Sequence, residues 1–241
     1  MHLENVVVDA IDPQTLGRFW EGAHGTERLT DEPQVFETRL AIADGAFLDL
    51  CFQPVPDPDA GLRRLRLDLA ADPDQAEAVE RLLGSGARRA DLDQDEVPWA
   101  VLADPEGNTF RVLERRAAYG DTGPLSALRL DVGDPRRDRE FWCWLTGWEP
   151  VGTSGSAALR HPSGRGPLLE LCPEAAPRGP GKNRIHLDVR LAPGEDGDVV
   201  AREVAERGGR EVHHDWGDLP WRFFADPSGN DFCVLPASSS A

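Results

Sequence analysis

Few side chains in this 241-residue sequence stand in a ready-made reactive motif. The four cysteines, Cys51, Cys143, Cys172 and Cys233, are scattered, and no two form a CxxC pair. Neither a zinc ribbon nor a disulfide framework is signalled, and they read as reduced thiols. His213 and His214 look like a ligand pair, but adjacent strand residues point to opposite faces and cannot grip one ion, so they read as exposed histidines. There is no Gly-x-Ser-x-Gly elbow, phosphate loop or dinucleotide fingerprint, because glycine-rich pieces such as Gly84-Ser85-Gly86 follow a helix instead of opening one. Any chemistry must come from carboxylates, an imidazole and tryptophans dispersed along the chain. What they can do depends on which elements bring them together.

Those elements occur twice. Asp9-Ala10-Ile11-Asp12-Pro13 followed by Phe19-Trp20 recurs as Asp131-Val132-Gly133-Asp134-Pro135 followed by Phe141-Trp142. Phe47-Leu48-Asp49-Leu50-Cys51 recurs as Leu168-Leu169-Glu170-Leu171-Cys172, and Arg66-Leu67-Asp68-Leu69 as His186-Leu187-Asp188-Val189. Pro98-Trp99 with Asp104-Pro105-Glu106-Gly107-Asn108 returns as Pro220-Trp221 with Asp226-Pro227-Ser228-Gly229-Asn230. Four anchors in one order at nearly constant offset define an internal duplication. It implies two tandem α+β domains, 1–116 and 125–241, joined by a linker at 117–124 where alternation is lost and Gly and Pro appear.

Each copy reads as strand, helix, strands, then strand, helix, strands. Asp12-Pro13 and Asp134-Pro135 put an N-capping carboxylate before a proline at the first helical position, where a missing N–H costs nothing. Asp72-Pro73 opens a second helix through Leu83, ended by Gly84 and Gly86; its counterpart runs from about Asp198 to Arg207 and stops at Gly208-Gly209. Asp-Pro-Glu-Gly-Asn and Asp-Pro-Ser-Gly-Asn are turn chemistry between apolar strands, so a hairpin closes each copy.

The 43 acidic against 26 basic residues give a formal charge of −17, a field that repels nucleic acid and anionic membranes. Only one basic residue, Lys182, is a lysine, which matches a GC-rich bacterial genome. The start of the chain lacks the basic and apolar signature of a secretory signal, and no stretch reaches the ~20 apolar residues of a membrane span, so a cytoplasmic location is expected.

The repeated strand-helix-strand module, its Asp-Pro helix start, the Arg184-Ile185-His186-Leu187-Asp188 strand and the final Asp-Pro-x-Gly-Asn hairpin resemble the vicinal oxygen chelate superfamily of glyoxalases, bleomycin-resistance proteins and dioxygenases. The resemblance covers nearly the whole chain twice. It implies two βαβββ modules per domain, forming an open cup-shaped sheet with helices outside. The family takes one metal ligand from each of four strands. Carried over, those positions are Asn5, Asp49, Arg66 and Arg111 in the first copy, and Ala127, Glu170, His186 and Cys233 in the second. Alternation agrees, because Leu48, Leu50, Leu65, Leu67, Leu169, Leu171, Ile185 and Leu187 would turn to the helices and the carried-over residues to the cup. Arginines offer a cation no lone pair, so the first copy is not a conventional metal site. A divalent metal would be confined to the second domain on Glu170, His186 and Cys233, and the expected cup holds no resident cofactor. If the copies exchange modules, Asn5 and Asp49 would instead face His186 and Cys233.

The reading that follows is a metal-free cup that binds a small aromatic or cationic metabolite or drug, as a pseudo-dimeric monomer or a homodimer. The alternative is a metal-dependent lyase, isomerase or dioxygenase with Glu170 and His186 as its catalytic pair. The expected pocket is lined by Asn5, Asp49, Arg66, Trp99, Arg111, Glu170, His186, Trp221 and Cys233, and Trp20 and Trp142 fill core. Asp9, Asp68, Asp131 and Asp188 either share the cup wall, or sit at strand ends in water, or pair with Arg66 and Arg129. The first cup is expected to be closed by Asp49 against Arg66 and Arg111, and the second, with Glu170 beside His186, to be open.

Overall fold

The computed structural model describes residues 1–43, 45–57, 63–71, 74–90, 98–114, 116–152, 157–175, 179, 181–215 and 217–238. The chain falls into four modules. The first holds β1 (His2–Ala10), α1 (Pro13–His24), β2 (Glu27–Glu32), β3 (Val35–Ala43) and β4 (Ala46–Pro54). The second holds β5 (Leu65–Ala70), α2 (Gln75–Gly84), β6 (Arg88–Arg89), β7 (Trp99–Ala103) and β8 (Thr109–Leu113). After a short 3-10 turn at Ala117–Tyr119, the third holds β9 (Leu125–Val132), α3 (Pro135–Thr146), β10 (Glu149–Val151), β11 (Ala158–Arg160) and β12 (Leu168–Pro173). The fourth holds β13 (Ile185–Arg190), α4 (Gly197–Glu206), β14 (Arg210–Glu211), β15 (Arg222–Ala225) and β16 (Asp231–Leu235).

Local chemistry sets the element ends. Asp12 accepts from the Thr15 amide and Asp134 from those of Arg136 and Arg137, each ahead of its N-terminal proline. Asp72-Pro73 lies outside the described residues; Asp74 caps α2 and Asp196 caps α4. In the closing hairpins Asp104 and Asp226 each accept two following amides, while Gly107 and Gly229 take φ values of 84° and 81° that disfavour a side chain.

The described strands form two eight-stranded sheets, and each takes one module from each sequence copy. The first runs β14-β15-β16-β13-β1-β4-β3-β2 and joins the first module to the fourth; the second runs β10-β11-β12-β9-β5-β8-β7-β6 and joins the second to the third. The seams are antiparallel: Val6 opposes Leu187 and Val7 opposes His186 across β1/β13, while Leu65 opposes Leu130 across β5/β9. The sequence copies are therefore continuous along the chain but crossed in the sheets.

Alternation puts Val6, Val8, Leu48, Leu50, Leu187, Leu128 and Leu169 into one apolar core shared by both sheets and the helices. Trp20 and Trp142 are buried there as expected. Each also bonds across the two sheets: the Trp20 indole N–H donates to Asp104 (3.0 Å) and that of Trp142 to Asp226 (3.1 Å). Among the described residues no helix is long and apolar enough to cross a membrane.

Candidate functional site

Crossing the modules redistributes the eight carried-over positions. Asn5, Asp49, His186 and Cys233 belong to the first sheet; Arg66, Arg111, Ala127 and Glu170 belong to the second. Glu170 and His186 therefore do not share a site, and the expected catalytic pair is not formed. The fallback metal set of Glu170, His186 and Cys233 is divided by the same topology. The physical reason is that β12 pairs with β9 and β13 with β1, so their cup faces lie in different sheets.

The second sheet's concave face is closed by its own charges. Arg111 grips the fully buried Asp68 and approaches Glu170 at 3.9 Å. Arg129 lies 3.7 Å from Asp68 and 3.8 Å from Glu170, and Arg66 pairs with Asp131 at 2.5 Å. Tyr119 of the linker turn donates to Glu170 at 2.9 Å, and the Arg111 guanidinium lies 4.8 Å above the Trp99 ring. Burial pushes the Asp68 carboxyl up against the opposing pull of Arg111, and the Tyr119 hydroxyl is raised to about 12 by burial and by Glu170. The expected closure by Arg66 and Arg111 thus occurs, but against Asp131 and Asp68. Asp49 is elsewhere, held by Arg39 in a two-pronged bridge of 2.8 and 2.7 Å.

The first sheet encloses a cavity of about 750 Å³. Its walls include Asn5, Val7 and Asp9 on β1, Cys51 and Gln53 on β4, His186 and Asp188 on β13, and Cys233 on β16. Trp221, Phe223, Leu219 and Leu235 make an apolar side. Of the paired tryptophans, Trp221 lines this cavity and Trp99 stacks in the closed cup. Asp9 and Asp188, left between two readings by the sequence, are on the wall; Asp68 and Asp131 are consumed by arginines. Lys182 and Arg190 also reach the cavity, but Lys182 is tied to Asp9 at 2.5 Å and Arg190 to Glu4.

At the floor His186, Asp188 and Cys233 converge, with one donor atom of each within 4.8 Å of the others, and all three are buried. His186 Nε2 lies 3.5 Å from Asp188 Oδ1, and Asn5 donates to Asp188 Oδ2 at 3.2 Å. His186 Nδ1 and Asp188 Oδ1 have no hydrogen-bond partner. Burial pushes the imidazole well below its ordinary range, helped by Lys182, and lifts the Asp188 carboxyl to about 7 against hydrogen bonds from Asn5 and Cys233. Burial and Asp188 together push the Cys233 thiol up. The floor sets an imidazole whose charge is disfavoured by burial beside a carboxyl that ionises near neutrality and a thiol whose ionisation is disfavoured.

Asp188 could have been singled out in the sequence, since it stands two residues after His186 and a strand returns to the same face every second residue. Arg39, which removes Asp49, had no comparable local signal.

Two βαβββ modules side by side in an open curved sheet, with helices outside, define a glyoxalase-like architecture. The glyoxalase-like domain family matches at residues 5–113 and again at 127–235, and the chain belongs to it. Glyoxalase I from Zea mays is similar in fold, with a TM-score of 0.62 at 17% identity over 98% of this chain and 92% of that one. A candidate dioxygenase from Bacillus subtilis superposes with a TM-score of 0.60 at 16% identity, covering 100% and 86% of the two chains. A search of the curated proteins finds no match.

The fold family's divalent centre draws on four strands, and here two of its four positions are spoken for. The Asn5 amide is bound to Asp188 and the Asp49 carboxylate to Arg39. That four-strand arrangement does not fit this chain; the donors left facing one another are His186, Asp188 and Cys233.

Proposed function

We propose that the first sheet's cup binds a small organic molecule with an aromatic body and a hydrogen-bond-donating or cationic head. The observation that carries this is the contrast between the cups: one is filled by its own ion pairs, the other keeps about 750 Å³ open between an aromatic side and an incompletely hydrogen-bonded polar floor. Trp221 and Phe223 line the cavity and give it aromatic surface against which a flat apolar group can pack. Asp188, a buried carboxyl on the cavity wall that ionises near neutrality, accepts a donor and strengthens its hold if that donor is charged. The acidic balance of the chain favours approach of a cation.

The test is a titration of reduced protein with a panel of aromatic amines and their neutral phenyl analogues, followed by calorimetry and native mass spectrometry. One-to-one binding is expected, weakened by Trp221→Ala and by Asp188→Asn, with the amine losing more than its neutral analogue in the latter. Binding unaffected by both changes, or no binding across the panel, would refute the reading.

A further inference from the structure

We propose that Lys182, the chain's only lysine, is a specificity-determining residue of the open cup, its ammonium receiving a neutral acceptor such as a carbonyl or carboxamide. The bound molecule is then elongated, with a donor or cationic head at Asp188, a flat apolar body, and an acceptor at the opposite end. This inference rests on the binding reading above and deepens it by naming the second end of the ligand.

The cavity has two polar ends. Asn5, Val7 and Asp9 share one face of β1 and all line it, so Asn5 and Asp9 stand four residues apart, about 13 Å along a strand. At one end Asn5 donates to Asp188; at the other Asp9 holds Lys182 and Gln53. Between them Val7 is flanked by Cys51 on β4 and His186 on β13, and Trp221 and Phe223 supply the apolar side.

An ammonium carries three N–H donors. Among the described residues Lys182 spends one, on Asp9 Oδ2 at 2.5 Å, while Asp9 Oδ1 accepts from Gln53 at 3.0 Å. The rest of the donor capacity belongs to a half-buried side chain on the cavity wall and has no acceptor among those residues. Asp9 already balances the charge, so a full anion gains little there, whereas a carbonyl dipole still takes a charge-assisted hydrogen bond. Burial first and the Lys182 charge second disfavour the imidazolium of His186, so the field of Lys182 reaches the middle of the cavity and turns a ligand's cation toward Asp188.

The experiment is calorimetry of reduced protein with three probes of matched length: an arylpropylamine carrying a para carboxamide, its para isopropyl isostere and its para carboxylate analogue. Wild type should bind the carboxamide about tenfold or more tighter than the isostere, the scale of one hydrogen bond to a charged group. Lys182→Met should erase that preference while leaving the isostere's affinity, and its weakening by Asp188→Asn, in place. Asp9→Asn keeps a partner for Gln53 but leaves the ammonium unbalanced, and should turn the preference toward the carboxylate. Thermal melts identify a variant that has lost its fold, and if Lys182→Met is one, the Asp9→Asn reversal carries the test by itself. Equal affinity of wild type for carboxamide and isostere, a preference that survives Lys182→Met, or no change of preference in Asp9→Asn would overturn the proposal. An isostere that binds through Asp188 with no gain from the carboxamide sinks only this inference; no binding by any of the three sinks the binding reading with it.

Discussion

Replacing Trp142 by phenylalanine tests how the two sheets are tied together. Trp142 is 1% exposed on α3, which belongs to the third module, and packs at 5.6 Å from Phe232 and 5.8 Å from Phe141. Its indole N–H reaches Asp226 in the fourth module, whose carboxylate also accepts from the amides of Ser228 and Asn230 and from the Asn230 side chain. Phenylalanine removes one of four donors to a buried carboxyl, worth about 1.5–3 kcal/mol for a hydrogen bond to a charged group. It also leaves a hole of roughly 40 Å³, worth about 1 kcal/mol more. The expected loss of ~2.5–4 kcal/mol corresponds to a Tm lower by roughly 5–16 °C in a chain of this size. Urea unfolding at pH 7, followed by circular dichroism, measures it. Trp144→Phe is the control, because Trp144 is only half-buried beside Phe141 and under Arg207. Trp20→Phe should match Trp142→Phe, since Trp20 makes the equivalent bond to Asp104. A cost for Trp142→Phe no larger than for Trp144→Phe would show that the buried N–H to carboxylate bond contributes nothing.

Three further outcomes follow from the same structure. Residues 1–116 and 124–241 co-expressed as separate chains should purify as a one-to-one complex through the β1/β13 and β5/β9 seams, and a folded monomer of either half alone would contradict the crossed pairing. Burial raises the Asp226 carboxyl from 3.8 to about 6, so the folded state holds its proton more tightly than the unfolded one. The associated stability is present below about pH 4 and lost as pH rises through about 6, a change of ~3 kcal/mol that Asp226→Asn should flatten in urea midpoints measured across that range. Arg111→Met strands the buried Asp68 carboxylate with only Arg129 near it and should cost about 3–5 kcal/mol at pH 7 by chemical denaturation, and a loss below 1 kcal/mol would mean the closed cup is not held by its ion pairs.

Much of this fold was legible from sequence because its signals are local. Asp12-Pro13 and Asp134-Pro135 start helices by filling orphan amides a few residues away, the Asp-Pro-x-Gly-Asn stretches fold on themselves, and alternation about Asp49, Glu170 and His186 separates the cup face from the core face. The duplication follows from the same motifs returning in order. Which strands become neighbours is a different kind of question. Period-two alternation says which way a side chain points, not which strand lies beside it, and β1 could satisfy its apolar face equally well against β5 or β13. The tertiary structure chose β13, and that choice put Asn5 beside His186, Asp188 and Cys233, which already share the fourth module, and brought Arg111 to the Glu170 and Arg129 of the third. Long-range charge pairing then decided which cup stayed open. Arginines at 66, 111 and 129 meet acids from two modules and close one, whereas in the other Arg39 withdraws Asp49 and leaves an imidazole, a carboxyl and a thiol facing empty space.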